Sequence, residues 1–99
     1  MLCISYREVD FEWDRIKRER NLRSHGVDFV EAEEVFDDRR ALVEFDAKHS
    51  LAEERFRILG KTRSGRLLLT VFTPRGSKIR IISSRRASRL EAKGYEEGI

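Results

Sequence analysis

The stretch from Lys78 to Leu90 constrains this chain more than any other. Its first residues alternate between basic and apolar side chains, beginning Lys-Ile-Arg-Ile. This period of two is typical of a strand that buries one face and exposes the other. The pattern therefore predicts a strand over 78–83 with an apolar core face and a cationic outer face.

The second half of the same stretch predicts a helix. Ser83 or Ser84 is expected to cap a helix over 85–93, with Arg85 and Arg86 in its first turn. The unpaired amide groups of a helix N-terminus attract phosphate. We therefore expect an anion site where the cationic strand meets this helix.

The remaining elements are read from periodicity and turn signals. The predicted strands are 11–13, 41–45, 55–59, 66–73 and 78–83, and the predicted helices are 14–24, 28–38 and 85–93. Short turns between the later strands indicate antiparallel neighbours. The fold class is α+β, an antiparallel β-sheet meander with two N-terminal helices and a C-terminal helix. Residues 1–99 form one domain, with residues 1–10 as an N-terminal extension.

Two of the helices are expected to pack through few residues. The helix over 14–24 is very polar, and we expect Ile16 and Leu22 to be its apolar contacts. In the helix over 85–93, we expect Ala87 and Leu90 to face inward.

The charges of the chain are segregated, although its formal net charge is only +3. Residues 55–90 contain 11 basic side chains and no acidic one, whereas residues 28–54 contain ten acidic and three basic side chains. Such a distribution predicts a basic surface that attracts polyanions. Arginine dominates the basic segment, and its guanidinium fork suits phosphate oxygens.

Several classes of protein are disfavoured by composition. Cys3 is the only cysteine, which excludes an internal disulfide and fits a reducing compartment. No apolar run approaches the roughly 20 residues of a membrane span. His25 and His49 are far apart in the chain, so we predict neither a metal site nor a cofactor. These features favour a cytoplasmic protein without membrane contact.

A set of short motifs resembles the BrnT toxins of bacterial type II toxin–antitoxin systems, over about residues 11–97. The matching positions are Phe11, Trp13, Asp14, Lys17, Asn21, Leu22, His25, Gly26, Val27, Phe29, Glu54, Arg55, Phe56, Gly60, the run from Ile79 to Ser83, Arg85, Ala87, Glu91 and Tyr95. The chain departs from the pattern at Arg15, where proline is common, and at Arg23, where lysine is common.

The resemblance implies a RelE-like fold and a metal-independent endoribonuclease that inhibits translation and arrests growth. It also implies an RNA substrate, with cutting either on free RNA or on the ribosome. A ribbon-helix-helix antitoxin similar to BrnA would neutralise the toxin, and the complex would contact promoter DNA through the antitoxin.

Metal-free RNA cleavage requires cations at the reacting phosphate and a group that moves a proton. The predicted catalytic residues are Arg80, His25, Arg55, Arg85 and Glu54. The predicted substrate-binding residues are Lys17, Arg57, Lys78, Arg86 and Tyr95. Arg55 and Arg80 share a sheet face only if the strand registers agree.

Each assignment has a structural alternative. His25 is also explained as a residue that ends a helix, Arg80 as an ion-pair partner of the acidic helix, and Tyr95 as a core residue. The alternative function is a non-catalytic module that binds nucleic acid or a partner through the basic sheet. Stacking aromatics would be expected on such a binding face, and the exposed strand positions are arginine and lysine.

Overall fold

The computed structural model describes residues 9–98 of the chain. Cys3 and most of the predicted extension over 1–10 lie outside the described residues. Asp10, at the end of that predicted extension, is the first residue of a strand.

The described chain contains five strands, three α-helices and two short 3₁₀ helices. The strands are β1 Asp10–Glu12, β2 Leu42–Phe45, β3 Phe56–Lys61, β4 Leu67–Arg75 and β5 Lys78–Arg86. The α-helices are α1 Arg15–His25, α2 Phe29–Ala32 and α3 Arg89–Glu97. The 3₁₀ helices are Glu33–Asp37, which continues α2, and Ala47–His49, which lies in the segment predicted as a loop.

The strands form one mixed sheet in the order β1-β5-β4-β3-β2. The predicted antiparallel meander is present from β2 to β5, because each consecutive pair is antiparallel. The prediction of a purely antiparallel sheet is wrong, since β1 pairs with β5 in parallel. The reason is connectivity: α1, α2 and three strands separate β1 from β5, which leaves enough chain for a parallel return.

One face of the sheet packs against α1, α2 and the following 3₁₀ helix, and we call it the helix-covered face. Its core includes Phe29, Val35 and Phe36 from the helical segments and Ile58 and Leu68 from the sheet. These side chains are buried because alternate residues of β3 and β4 point toward the helices. The buried apolar residues of α2 and of the 3₁₀ helix that continues it therefore face the core.

Helix α1 is held against the sheet by a polar residue. Ile16 is 52% and Leu22 is 48% exposed, so the predicted apolar stripe is wrong. Buried Asn21 instead donates from Nδ2 to the carbonyls of Val27 and Ser84, at 2.9 and 2.7 Å, and accepts from the Ser84 amide at 3.0 Å. Its side-chain amide pairs with the backbone of β5 beyond the point where β1 ends.

The predicted helix start at Ser83 or Ser84 is also wrong. Strand β5 continues to Arg86, because the length of β4 allows pairing as far as the Leu68–Arg86 register. The N-cap of α3 is Ser88, whose hydroxyl accepts from the Glu91 amide, while the Glu91 carboxylate accepts from the Ser88 amide. The residues that were predicted to form a phosphate-binding helix N-terminus, Arg85 and Arg86, lie in β5 instead, so that prediction is wrong as well.

Helix α3 covers one end of the other sheet face. Tyr95 packs with Leu59 and Leu69, and Ala87 lies against the same cluster. Leu90 was expected to face inward, but it is 82% exposed because only one side of the short helix meets the sheet. The rest of this sheet face has no helix over it among the described residues.

Candidate functional site

The sheet face opposite α1 and α2, where α3 does not cover it, carries most of the predicted cations. We call it the open face. Cross-strand registers place Glu44, Arg57, Val71 and Ser83 in one row across four strands. The neighbouring row contains Thr73, Arg80 and Glu12.

A β-bulge determines which residues of β5 reach the open face. Val71 pairs with Ser83 and Phe72 with Ile81, so Ile82 is the extra residue. The bulge shifts the alternation by one position. Arg85 consequently shares the open face with Arg80, and Arg86 is turned to the opposite side of the strand.

Each of three open-face arginines contacts a carboxylate from a different element. The pairs are Arg80 Nε with Glu12 at 3.1 Å, Arg85 with Glu91 at 2.8 and 2.9 Å, and Arg57 with Glu44 across the β2–β3 register. The three arginine side chains remain 29%, 42% and 38% exposed, respectively. These guanidinium groups are therefore both oriented and accessible to an anion.

Of the three pairs, the one between Arg85 and Glu91 is bidentate, with two hydrogen bonds between the side chains. Bidentate hydrogen bonding from Arg85 lowers the pKa of Glu91 to about 2, with further help from the Ser88 amide. The same contact raises the pKa of Arg85. Both groups stay ionised at neutral pH, which fixes Arg85 at the start of α3.

Arg80 does not form the ion pair with the acidic helix that the sequence offered as its structural role. Its partner Glu12 lies on β1, not on the acidic helical segment. The acidic segment pairs with the β3–β4 turn instead, through Arg66 and Glu31 at 3.3 Å and Arg63 and Glu34 at 3.7 Å. The acidic helical segment thus pairs with basic residues that lie away from the open face.

Three further predicted residues lie along the border of the open face: Glu54, Arg55 and Lys78. Thr73 donates from Oγ1 to the Glu54 carbonyl at 2.6 Å, and continuing the β3–β4 register places Arg55 opposite Thr73. Thr73 in turn faces Arg80. The registers therefore agree for Arg55 and Arg80. Lys78 lies one row farther along β5, where it pairs with Asp10 of β1 and Arg75 of β4.

His25 and Lys17 lie together, apart from the open-face arginines. They line a shallow depression of about 270 Å³ with Arg20, Ser24 and Ile82, beside buried Asn21. None of the paired open-face arginines lines this depression. The structure thus divides the predicted site residues between the open face and this part of α1, which we call the α1 flank.

Tyr95 and Arg86 occupy positions that differ from those of the other candidates. Tyr95 is 4% exposed and donates its hydroxyl to Asp38 at 2.6 Å. Burial and this hydrogen bond raise the pKa of Tyr95 to about 12. Its geometry matches the structural alternative of a core residue. Arg86 is exposed at the end of β5, on the side away from Arg85.

The carboxylates of the open face are the residues that the sequence interpretation missed. Glu44 lies on a predicted strand, and Glu91 stands three positions after Ser88 in a capping-box pattern. Those signals were available, although they did not indicate which arginine each acid would meet. Glu12 gave no such signal, because its contact with Arg80 depends on the parallel pairing of β1 and β5.

Two general features of the described chain bear on function. Within residues 9–98, no group of three or more histidine, cysteine, aspartate or glutamate side chains is arranged to hold a metal ion. No helix in that range is long and apolar enough to cross a membrane.

The chain is similar to a known protein family and to a solved structure. Residues 13–91 match the model of a family described as the ribonuclease toxin BrnT of type II toxin–antitoxin systems. The chain is also similar to the crystal structure of the Brucella abortus ribonuclease toxin BrnT, with a TM-score of 0.64 and 30% sequence identity. The match covers 82% of this chain and 99% of that one. The comparison with curated proteins finds no significant match.

Proposed function

Because the chain belongs to the BrnT family of ribonuclease toxins of type II toxin–antitoxin systems, we propose that the open face is its RNA-cleaving site. The observation that supports this proposal most strongly is the position of Arg57, Arg80 and Arg85. All three lie on one sheet face, each oriented by a carboxylate and each accessible to solvent. Cations held in fixed directions are the groups that stabilise a developing phosphorane charge best.

The proposed reaction needs no metal ion. The 2′-oxygen of the RNA attacks the adjacent phosphorus, its proton passes to a base, and the bond from phosphorus to the 5′-oxygen breaks. The leaving 5′-oxygen takes up a proton, so the products are a 2′,3′-cyclic phosphate and a 5′-hydroxyl. Arg80 would hold the non-bridging oxygens, with Arg85 and Arg55 as neighbours and Arg57 and Lys78 as phosphate contacts.

Glu12 is the best-placed proton acceptor on this face. Its carboxylate lies 3.1 Å from Arg80 Nε and is 29% exposed, so a 2′-hydroxyl bound beside Arg80 would be within its reach. His25 remains the second candidate, with Lys17 as a substrate contact, if RNA extends from the open face to the α1 flank. Glu54 is a third candidate, at the border of the face.

The biological setting is proposed from the family. We expect the toxin to act in the cytoplasm, to inhibit translation by cutting RNA, and to be neutralised by a ribbon-helix-helix antitoxin. Contact with promoter DNA would occur through that antitoxin. We also propose that the fold is related to that of RelE-like ribonucleases, in line with an α+β domain built on a mixed sheet.

The test is an RNA cleavage assay in excess EDTA with purified protein. The variants are Arg80→Ala, Glu12→Gln and His25→Ala, and the control is Arg63→Ala, which removes an arginine that pairs away from the open face. We expect Arg80→Ala to reduce cleavage by about 100-fold or more, the usual effect of losing one charge-stabilising donor. Arg63→Ala should retain most of the activity.

A substrate with 2′-deoxy residues separates this mechanism from others, because it lacks the attacking oxygen. Cleavage that persists on the deoxy substrate, or that requires an added metal ion, would contradict the proposed reaction. If the wild-type protein binds RNA in a salt-dependent way but cuts neither free RNA nor RNA on ribosomes, the non-catalytic binding module would replace it. A larger loss in His25→Ala than in Glu12→Gln would assign the base to His25.

A further inference from the structure

A groove adjoins the open-face arginines between β2, β3 and the start of α3. Its volume is about 460 Å³, and its apolar wall consists of Leu42, Leu59 and Leu69. Two of the open-face carboxylates, Glu44 and Glu91, lie at its rim. The groove is therefore large enough for a nucleobase and combines a flat apolar wall with hydrogen-bonding groups.

The two rim carboxylates differ in how many further hydrogen bonds they can accept from a ligand. Both oxygens of Glu91 are used by Arg85 and by the Ser88 amide. Glu44 is 63% exposed, and among the described residues only its Oε1 has a partner, the Nη2 of Arg57. Glu44 can therefore accept further hydrogen bonds from a ligand, whereas Glu91 serves mainly to hold Arg85.

Arg57 also has unused hydrogen-bonding capacity. Its Nη2 contacts Glu44 and its side chain is 38% exposed, whereas its Nε is buried and out of reach of a ligand. A guanidinium carries five N–H donors in a fixed plane. The groove thus presents a carboxylate acceptor and a guanidinium donor side by side, joined by the β2–β3 register.

We propose that this groove is the base subsite of the ribonuclease and that it selects guanine. The inference rests on the proposed function, because it places the base beside the phosphate that Arg85 would bind. In this arrangement Arg57 contacts the base and not the phosphate. Guanine has two adjacent N–H donors, at N1 and N2, which match the two oxygens of a carboxylate. Its O6 and N7 are acceptors, which match the donors of Arg57.

The other three bases fit this pair of groups less well. Adenine, cytosine and uracil each present a single donor position on the Watson–Crick edge, so only one oxygen of Glu44 would be used. Single-stranded RNA exposes this edge to a protein. Leu42, the most exposed of the three leucines of the wall, would contact the face of the base and exclude water from it.

The test uses nucleotides that bind without being cut. The isotopically labelled chain is titrated with 3′-GMP and, separately, with 3′-AMP, 3′-CMP and 3′-UMP, while amide resonances are followed by NMR. We expect 3′-GMP to bind about tenfold tighter or more than the others, the usual discrimination of one bidentate contact. The largest shifts should fall on residues 42–44, 57–59 and 69.

Two variants test whether Glu44 is the residue that recognises guanine. Glu44→Gln keeps the size of the side chain and removes one acceptor, and it should weaken 3′-GMP binding about tenfold with little effect on 3′-AMP. Glu53→Gln is the matched control, because Glu53 also pairs with an arginine, Arg75, but does not line the groove. It should leave the affinity for 3′-GMP unchanged.

The outcomes distinguish this inference from the proposed cleavage activity. Selective binding of 3′-GMP that depends on Glu44 supports the guanine subsite even if no cutting is detected. Equal binding of all four nucleotides, or shifts outside the groove, would overturn it even in an active ribonuclease. Absence of binding by every nucleotide would also overturn it, and would leave the groove to an apolar side chain of a partner protein.

Discussion

The open face and the α1 flank are both cationic, but their charges are held differently. On the open face, Arg57, Arg80 and Arg85 each contact a carboxylate. On α1, Lys17 and Arg20 are exposed and have no ion pair with any residue that the structure describes. Oriented cations suit the stabilisation of a transition state, whereas mobile ones mainly attract RNA and raise the association rate.

The largest expected effect comes from removing the residue that attaches the α1 flank to the sheet. Asn21→Ala deletes three hydrogen bonds and leaves backbone groups of Ser84 and Val27 without their partner. We expect the free energy of unfolding to fall by about 3 kcal/mol, since unsatisfied buried groups cost about 1–3 kcal/mol each and part of this is recovered by water. Urea unfolding measures the change.

The matched control for this variant is Leu22→Ala. Leu22 is the next residue of the same helix and is 48% exposed. Its truncation should cost less than about 1 kcal/mol, within the usual range for surface positions. If Leu22→Ala is as destabilising as Asn21→Ala, the helix is held by apolar contacts and our interpretation of α1 is wrong.

An intermediate effect is expected from the bidentate ion pair of the open face, between Arg85 and Glu91, and it depends on pH. Glu91 has a pKa of about 2, below its ordinary value of 4.5, because of Arg85. A depressed carboxyl pKa contributes stability that is complete above the unfolded pKa and disappears as the pH falls through the folded one. Glu91→Gln should therefore cost about 1–2 kcal/mol at pH 7, after allowance for solvent screening, and progressively less between pH 4.5 and 2.

Urea unfolding of both proteins across this pH range measures the difference. Glu53→Gln is again the control, because it breaks a more exposed ion pair with Arg75 and should change stability little. A cost for Glu91→Gln that is constant from pH 7 to pH 2 would contradict the assignment to charge, because glutamine can keep the capping box and differs mainly in its contact with Arg85.

Sequence patterns were sufficient for the elements whose signals are local. An almost continuous apolar run indicated β4, and alternation indicated β5. Asp14 and Gly26, residue types typical of helix ends, cap α1, with Gly26 in the left-handed region at φ 67°. Such patterns do not predict which strands pair when the strands are far apart in the sequence. The partner of β1 and the bulge at Ile82 both depend on distant strands, and they determine that Arg85, and not Arg86, reaches the open face.

The same reason explains which site residues could be predicted. Arginines on alternating strands reveal a cationic face, because their spacing alone places them there. The carboxylates that orient them come from other elements, so Glu12 could be recognised only after the sheet order was known. The chemistry of imidazole makes His25 a candidate, and its position on the α1 flank follows from how Asn21 docks the helix.

The smallest expected effect tests the α1 flank directly, with the double variant Lys17→Ala and Arg20→Ala. If these unpaired cations only attract RNA, turnover at saturating RNA should change less than about threefold, while affinity decreases several-fold. The slope of log affinity against log salt should fall by about 1.4, since each contact with single-stranded RNA contributes about 0.7. Ser24→Ala, in the same depression, is the uncharged control and should leave the slope unchanged. A 100-fold loss of turnover in the double variant would contradict the division of roles, because it would place the α1 flank, together with His25, at the reacting phosphate.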